Sequence, residues 1–426
     1  MSKHFAIAWG LTFLLASSLP AQEPATPDLT LEQALQTAFE RSPEITARQA
    51  EVEELRAQLV TARTYPYNPE VSANSARRSG PGESSTDRGL EVSLEIEIGG
   101  QRGRRVAVAE ASLSAAEARF RRDQRVLAGR VALAFAEAVR ARELLRIEET
   151  DAALARDLLQ IEERRLEAGK ATQIELNLAR AAAGRSTRNV ELARGTYLGT
   201  RSMLAEAIDL PPALPPEPIG DLTGGAAGTD GLPPLPDLVR TALENREDLA
   251  AFRNQQDAAR AEIALEQSLA RPNLIASAFQ DREGGTEGIS GLGLTIAIPL
   301  FNRNRGRIDE ATAAANRVAA EAAVARLAVE REVASAFATY EAARAAARGL
   351  GEQVIGSLKE NLALLQRSSE AGKISRTEVF LFRREFVESQ REYVDALGQA
   401  WRARVELDLA AGRLPIPTQT NRSFEP

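Results

Sequence analysis

Leu90-Glu-Val-Ser-Leu-Glu-Ile-Glu-Ile98 is the stretch on which the reading of the chain turns. Leu90, Val92, Leu94, Ile96 and Ile98 alternate with Glu91, Ser93, Glu95 and Glu97. A strand sends successive side chains to opposite faces, so one face would be apolar and the other would carry carboxylates. The pattern returns further on, where Leu292, Leu294, Ile296 and Ile298 are interleaved with Gly293, Thr295 and Ala297. A half-buried strand of a soluble antiparallel sheet shows the same alternation. The surroundings favour another setting. The strands come as two hairpins, 67–79 with 89–99 and 272–282 with 289–299, inside otherwise helical halves. Their loops, Ser79 to Arg88 and Asp281 to Gly288, are polar and glycine-rich. About nine residues of alternation match a tilted strand crossing a bilayer. Apolar side chains would then face lipid, and Glu91, Glu95 and Glu97 a water-filled lumen. Four strands are too few to close a barrel, and an open edge in lipid leaves backbone groups unsatisfied. Several chains must share one barrel.

The rest of the chain is one plan written twice. Leu31-Glu-Gln-Ala-Leu-Gln-Thr-Ala-Phe-Glu40 parallels Leu235-Pro-Asp-Leu-Val-Arg-Thr-Ala-Leu-Glu244. Asn68-Pro69-Glu70-Val71 parallels Arg271-Pro272-Asn273-Leu274, and Glu167-Ala168-Gly169-Lys170 returns as Glu370-Ala371-Gly372-Lys373. The order of the matches is kept, and a period of about 200 residues is a duplicated half rather than a solenoid unit. The halves are assigned as 22–210 and 237–412, with a tail at 413–426. Between them, 211–236 contains four Pro-Pro or Gly-Gly pairs and reads as a linker without helix.

Each half reads helix, strand, strand, long helix, helix. A first helix starts at the N-cap Thr30, with Gln33 three residues on, and runs until Pro66. Helical hairpins follow the strands, at 103–209 and 304–412. The long helix from about Arg104 to Leu166 contains no proline and carries apolar Val126, Val131, Phe135 and Val139. Unbroken, it would extend about 90 Å. Only 5% of the 426 residues are aromatic while 27% are charged, which suits long helices packed through alanine.

Residues 1–21 read as a removed signal peptide: Lys3 and His4 precede the apolar run Phe5 to Leu19, and Ala21 suits a cleavage site. The mature chain would therefore leave the cytoplasm. There is no cysteine, and the single histidine is His4. Neither a Ser-His-Asp triad nor a thiolate nucleophile can then form, which argues against an enzyme, and soft or borderline metals lose their preferred ligands. No cofactor or resident metal is expected. A net charge of −7 gives no sign of nucleic-acid binding.

The leader, the duplication and the strand hairpins between alanine-rich helices together resemble the TolC family over nearly the whole mature chain. Ile98-Gly-Gly-Gln-Arg-Gly-Arg-Arg105 and Ile298-Pro-Leu-Phe-Asn-Arg-Asn-Arg-Gly306 are similar to the strand-to-helix junctions of its heavy-metal branch, the outer-membrane components of cobalt-zinc-cadmium resistance exporters. The resemblance implies a mainly α protein with a β hairpin per repeat. A homotrimer would form an outer-membrane β-barrel from four strands per chain, continued by a periplasmic α-helical barrel with a belt from the linker and C-terminal segment. Its partners would be a periplasmic adaptor, an inner-membrane pump of the RND type and outer-membrane lipid. The adaptor-docking tips would fall at Leu166, Gly169, Lys170 and Thr172, and at Gly372, Lys373, Ile374 and Ser375. An ordinary helical-hairpin turn accounts for those glycines equally well. Glu175 and Glu378, six residues past the tip glycines, would form a ring of lumen gate carboxylates. Favourable placement in the first turn of a helix is the alternative reading for both. Drugs, small organic compounds or secreted proteins remain alternative cargo. A periplasmic coiled-coil scaffold is the rival of another class, and it leaves the alternating hairpins without a role.

Overall fold

A computed structural model describes residues 28–80, 83–211, 215–227, 231–284, 287–370 and 376–415. The first half contains β1 (Asp28–Leu29), α1 (Leu31–Arg41), α2 (Pro43–Arg63), β2 (Glu70–Gly80), β3 (Glu83–Ile96), α3 (Gln101–Glu167) and α4 (Gln173–Ala207). A connecting segment holds β4 (Glu217–Pro218) and α5 (Leu222–Ala227). The second half repeats the order as α6 (Leu235–Asn245), α7 (Glu247–Leu269), β5 (Leu274–Glu283), β6 (Glu287–Ile296), α8 (Arg305–Gly349), a π-helical stretch Leu350–Ile355, α9 (Gly356–Glu370) and α10 (Arg376–Ala410). Residues 1–27, which include the expected signal segment, and 371–375, the expected second tip, lie outside the described residues.

Two expectations from sequence are corrected. The first helix is not continuous to Pro66 but breaks at Ser42, which ends α1 and caps α2. Pro43 opens the new helix, where its missing N–H costs nothing, and it bars helical geometry at the residue before it. The second half breaks at the matching place, Arg246, without a proline. The linker also holds more structure than its prolines suggest. β4 pairs in parallel with β1 near the N-terminus, and α5 packs on α10 and α3.

α3 spans 67 residues without interruption, about 100 Å at the ordinary helical rise. Its counterpart is divided by the π-helical stretch, which is bordered by Gly349 and Gly356 and includes Gly351. A Cβ on Gly351 would lie 2.9 Å from the ring of Tyr393 in α10, so the glycine allows that close approach.

The core lies where the long helices cross the shorter ones. Val131, Phe135 and Val139 of α3 pack with Ala38 and Phe39 of α1, Leu204 of α4 and Trp401 of α10. Phe135 and Trp401 meet edge to face with centroids 6.2 Å apart. Val126, also apolar, stays exposed on the outer side of α3. A second cluster joins Leu238 of α6, Val333 and Tyr340 of α8 and Leu407 of α10. Alanine contributes much of both clusters, which lets backbones approach closely and keeps the layers thin.

The two hairpins form one antiparallel sheet of order β2-β3-β5-β6. β3 joins β5 across the two halves, with Leu90 opposite Gln280 and Ile96 opposite Leu274. β2 and β6 are left as edges within the chain.

Candidate functional site

The register sorts the sheet into two faces. Val71 pairs with Val92, Val92 with Ala278, and Ala278 with Leu292, so these four share one face. Leu90, Leu94, Ile96, Leu274, Leu294 and Ile296 lie on the same side by the period of two. Leu292 is 87% exposed and Leu294 74%, so among the described residues nothing of the chain covers this apolar face. The opposite face carries Glu70, Asp87, Glu91, Glu95, Asp281 and Glu283. Its arginine, Arg78, is neutralised by Asp87 at 3.1 Å and Glu283 at 3.8 Å. Glu91 and Glu95 therefore stand on the polar face, which is strongly acidic.

Glu97 stands apart from that pair. β3 ends at Ile96, and the Glu97 carboxylate is paired with Arg105 of α3 and almost fully covered. Glu95 takes part in a polar knot where strands give way to helices. Its Oε1 accepts from Asn273 Nδ2 at 2.7 Å, and the same amide donates to Tyr67 Oη at 2.9 Å. Gln101 Nε2 donates to Asn273 Oδ1 at 3.0 Å, while Gln101 Oε1 accepts from Gly99 N at 2.9 Å. Tyr65 donates to the Glu95 carbonyl at 2.8 Å. Gln101 is 1% exposed, and its bonds tie the first half to the second at the junction. The junctions of the two halves match in geometry: Gly100 and Asn304 both adopt left-handed backbone immediately before α3 and α8. Asn304 is held by Glu266, whose carbonyl and carboxylate accept its amide at 2.8 and 2.6 Å.

At the far end, α3 stops in a Schellman turn. Lys170 N donates to Arg165 O at 2.8 Å and Gly169 N to Leu166 O at 2.9 Å, with Gly169 at φ +69°. Arg165 also donates to the Lys170 carbonyl at 3.0 Å. Thr172 then opens α4 through a capping box. Its hydroxyl accepts from Glu175 N at 3.2 Å, and the Glu175 carboxylate accepts from Thr172 N at 2.6 Å. These bonds from Thr172 hold the exposed Glu175 carboxyl below its ordinary range, so it stays ionised. Leu166, Gly169, Lys170, Thr172 and Glu175 are thus brought together at one tip. Gly372, Lys373, Ile374 and Ser375 lie outside the described residues, as does the side chain of Glu378.

Along the shaft, charged pairs tie α3 of the first half to α10 of the second. Arg391 grips Glu148 with bonds of 2.6 and 2.8 Å. Arg140 bonds both Glu137 and Asp395, and Arg402 reaches Glu137 at 3.1 Å. The Arg140 guanidinium, helped by Arg402, holds the Glu137 carboxyl below the usual carboxylate range. Nearer the sheet, Arg125 pairs with Glu247 and donates to the carbonyls of Gly412 at 2.7 Å and Leu414 at 2.8 Å. Apart from Arg140–Glu137, a pair three residues apart on α3, none of these ties is visible from residue spacing, because each joins residues more than 100 positions apart. The bond between Gln101 and Asn273 at the junction is hidden for the same reason. The one local signal was that Asn273 follows the Arg271-Pro272 that parallels Asn68-Pro69.

A long helical shaft continued by a sheet with one uncovered apolar face defines an outer-membrane channel protomer. Residues 34–208 and 238–413, the two halves, match the family model described as outer membrane efflux protein, and the chain belongs to that family. It is 27% identical over 417 residues to the cobalt-zinc-cadmium resistance protein CzcC of Cupriavidus metallidurans, covering 97% of both chains. It is 30% identical over 335 residues to the nickel-cobalt-cadmium resistance protein NccC of Alcaligenes xylosoxydans xylosoxydans, covering 74% of this chain and 69% of that one. Among solved structures, the outer membrane protein VceC from Vibrio cholerae has a TM-score of 0.68 at 19% identity, with 90% of this chain and 96% of that chain covered. CusC, a transmembrane channel, has a TM-score of 0.72 at 18% identity over 90% and 92% of the two chains. The fold and the outer-membrane location expected from sequence are those of this family.

Proposed function

We propose that three copies of the chain assemble into a passive duct through the outer membrane, and that its principal cargo is divalent heavy-metal cations. The carrying observation is the four-stranded sheet, apolar on one face, acidic on the other and unpaired at both edges within the chain. β6 runs antiparallel to β2, so the edges of neighbouring copies can pair, and three copies close a barrel of about twelve strands. Closure puts the apolar face in lipid and lines the lumen with Glu91 and Glu95. Rings of carboxylate at close quarters favour cations over anions. Glu97, engaged by Arg105, adds little to that field. The names of the resistance relatives support metal cargo over organic compounds.

The duct supplies no energy, so an inner-membrane pump and a periplasmic adaptor must feed it. In this reading the adaptor meets Leu166, Gly169, Lys170 and Thr172, with Gly372, Lys373, Ile374 and Ser375 at the second tip. Glu175 and Glu378 ring the entrance near those tips. The ionised state of Glu175 supports such a ring, although its cap also anchors α4. Planar-bilayer recordings test the reading: the purified trimer should pass cations in preference to anions, and Glu91→Gln with Glu95→Gln should weaken that preference. Channels with no ionic preference, or unchanged preference in the double variant, would remove the acidic lumen from the account. Deleting the gene and comparing cobalt, zinc and cadmium tolerance with drug tolerance separates the two classes of cargo.

A further inference from the structure

The apolar face of the sheet ends in arginines. Following the same register outward from Leu90, the next residue on that face of β3 is Arg88. Arg88 is the direct partner of Arg282 on β5, and Arg77 of β2, opposite Thr86, completes the group. All three are exposed. Among the described residues none of them has an ion pair, whereas Arg78, on the other face at the same end, is neutralised twice. Like charges set directly opposite each other weaken a sheet, so the Arg88–Arg282 pair is an arrangement that an external anion would relieve. Burying the triad against a neighbouring apolar surface would leave three charges without partners.

The height of the group says which anion. Ile96 and Arg88 are eight residues apart on β3, about 27 Å along the strand and about 20 Å along the membrane normal at ordinary barrel tilt. That distance is close to the apolar thickness of an outer-membrane barrel, about 25 Å. The helices leave from the Ile96 end, so the arginines stand at the opposite rim, by the hairpin tips. There the hydrocarbon of the outer leaflet gives way to headgroups.

We propose that Arg77, Arg88 and Arg282 form a binding site for the phosphates of outer-leaflet glycolipid, one cluster per protomer around the outer rim of the barrel. Each guanidinium can fork onto phosphate oxygens, and the cluster relieves its own repulsion only when a polyanionic headgroup sits between the strands. The apolar residues below, Leu90, Ala278 and Leu292, take the acyl chains of the same lipid. The inference rests on the apolar face meeting lipid, as the proposed duct requires.

The test is lipid A binding to the intact trimer in detergent, followed by native mass spectrometry. Wild type should retain lipid A that carries both phosphates. The variant R77Q/R88Q/R282Q should bind about a hundredfold more weakly, from roughly fivefold per arginine. Wild type should lose the same factor with lipid A stripped of its phosphates, an arm that needs no variant to fold. Equal binding of phosphorylated and stripped lipid, or a variant within about threefold of wild type, would overturn the site. Displacement of lipid A by inorganic phosphate would also overturn it, by showing a free-anion site instead. Leu292→Trp, read by quenching from bromine-labelled acyl chains, distinguishes the two levels of failure. Quenching with failed phosphate arms sinks the arginine site alone, and absent quenching sinks the lipid-facing sheet as well.

Discussion

Leu292 offers the sharpest trial of the sheet's two faces. It lies four residues from Ile296 at the inner end of the apolar band, and its row continues through Ala278 to Val92, four residues from Arg88 at the outer end. Leu292 therefore sits near the middle of the band, where a lysine on the lipid side of a barrel costs roughly 2–4 kcal/mol. In the proposed assembly of three copies the penalty would reach about 6–12 kcal/mol, comparable to the whole stability of a small domain. Ser277, one residue from the partner of Leu292, belongs to the opposite face and pairs with Ser93 and Gly293. A lysine there would enter water and should cost under about 1 kcal/mol. The assay is urea-titrated folding into liposomes, followed by the gel shift between folded trimer and unfolded chain. Leu292→Lys should lose most trimer under conditions that leave Ser277→Lys nearly intact. Similar losses from the two substitutions would refute the assignment of the faces.

Other consequences follow from the helical shaft. Asp209 ends α4 in left-handed geometry at φ 53°, where α10 has Gly412 at φ 66°. Asp209→Gly should therefore raise stability by about 1 kcal/mol, seen as a higher urea midpoint for the shaft. Arg391→Ala leaves Glu148 covered without its partner, and it should cost about 2 kcal/mol with faster proteolysis between α3 and α10. Thr172→Ala removes the cap of α4 and should cost about 1 kcal/mol locally, read as quicker protease nicking at the tip. Because the folded state lowers the Glu137 pKa, its contribution is complete above the ordinary value of 4.5 and is lost as pH falls toward the folded value. Glu137→Gln should flatten the acid limb of the unfolding curve in that window, measured by circular dichroism.

Periodicity and duplication carry different amounts of information, and the chain shows where each stops. The alternation of Leu90, Val92, Leu94 and Ile96 with acidic and small residues was enough to name the strands and their faces. It could not say that β3 pairs with β5, because that contact closes a loop of about 180 residues that no local pattern encodes. Nor could it end the strand: Glu97 keeps the alternation but is captured by Arg105, and the chain turns toward α3 there. Thr30 with Gln33, and Thr172 with Glu175, announced their caps because those bonds are local. The break at Ser42-Pro43 has only its proline as a local mark, and the helical pattern on either side hides it. The π-helical stretch had no proline to mark it; its signal is the glycine spacing at 349, 351 and 356, which becomes meaningful only once Tyr393 is seen lying against it.

The bare borders of the sheet reach beyond architecture into how copies of the chain depend on one another. A lone chain entering hydrocarbon would drag two rows of thirsty amides and carbonyls with it, so association and insertion have to happen as one event. A defective copy that still offers one good border is then worse than an absent copy, since it recruits healthy ones into rings that never seal. If the proposed ring holds three copies, equal supplies of sound and damaged ones leave only roughly one trio in eight free of damage, so such an allele should act dominantly.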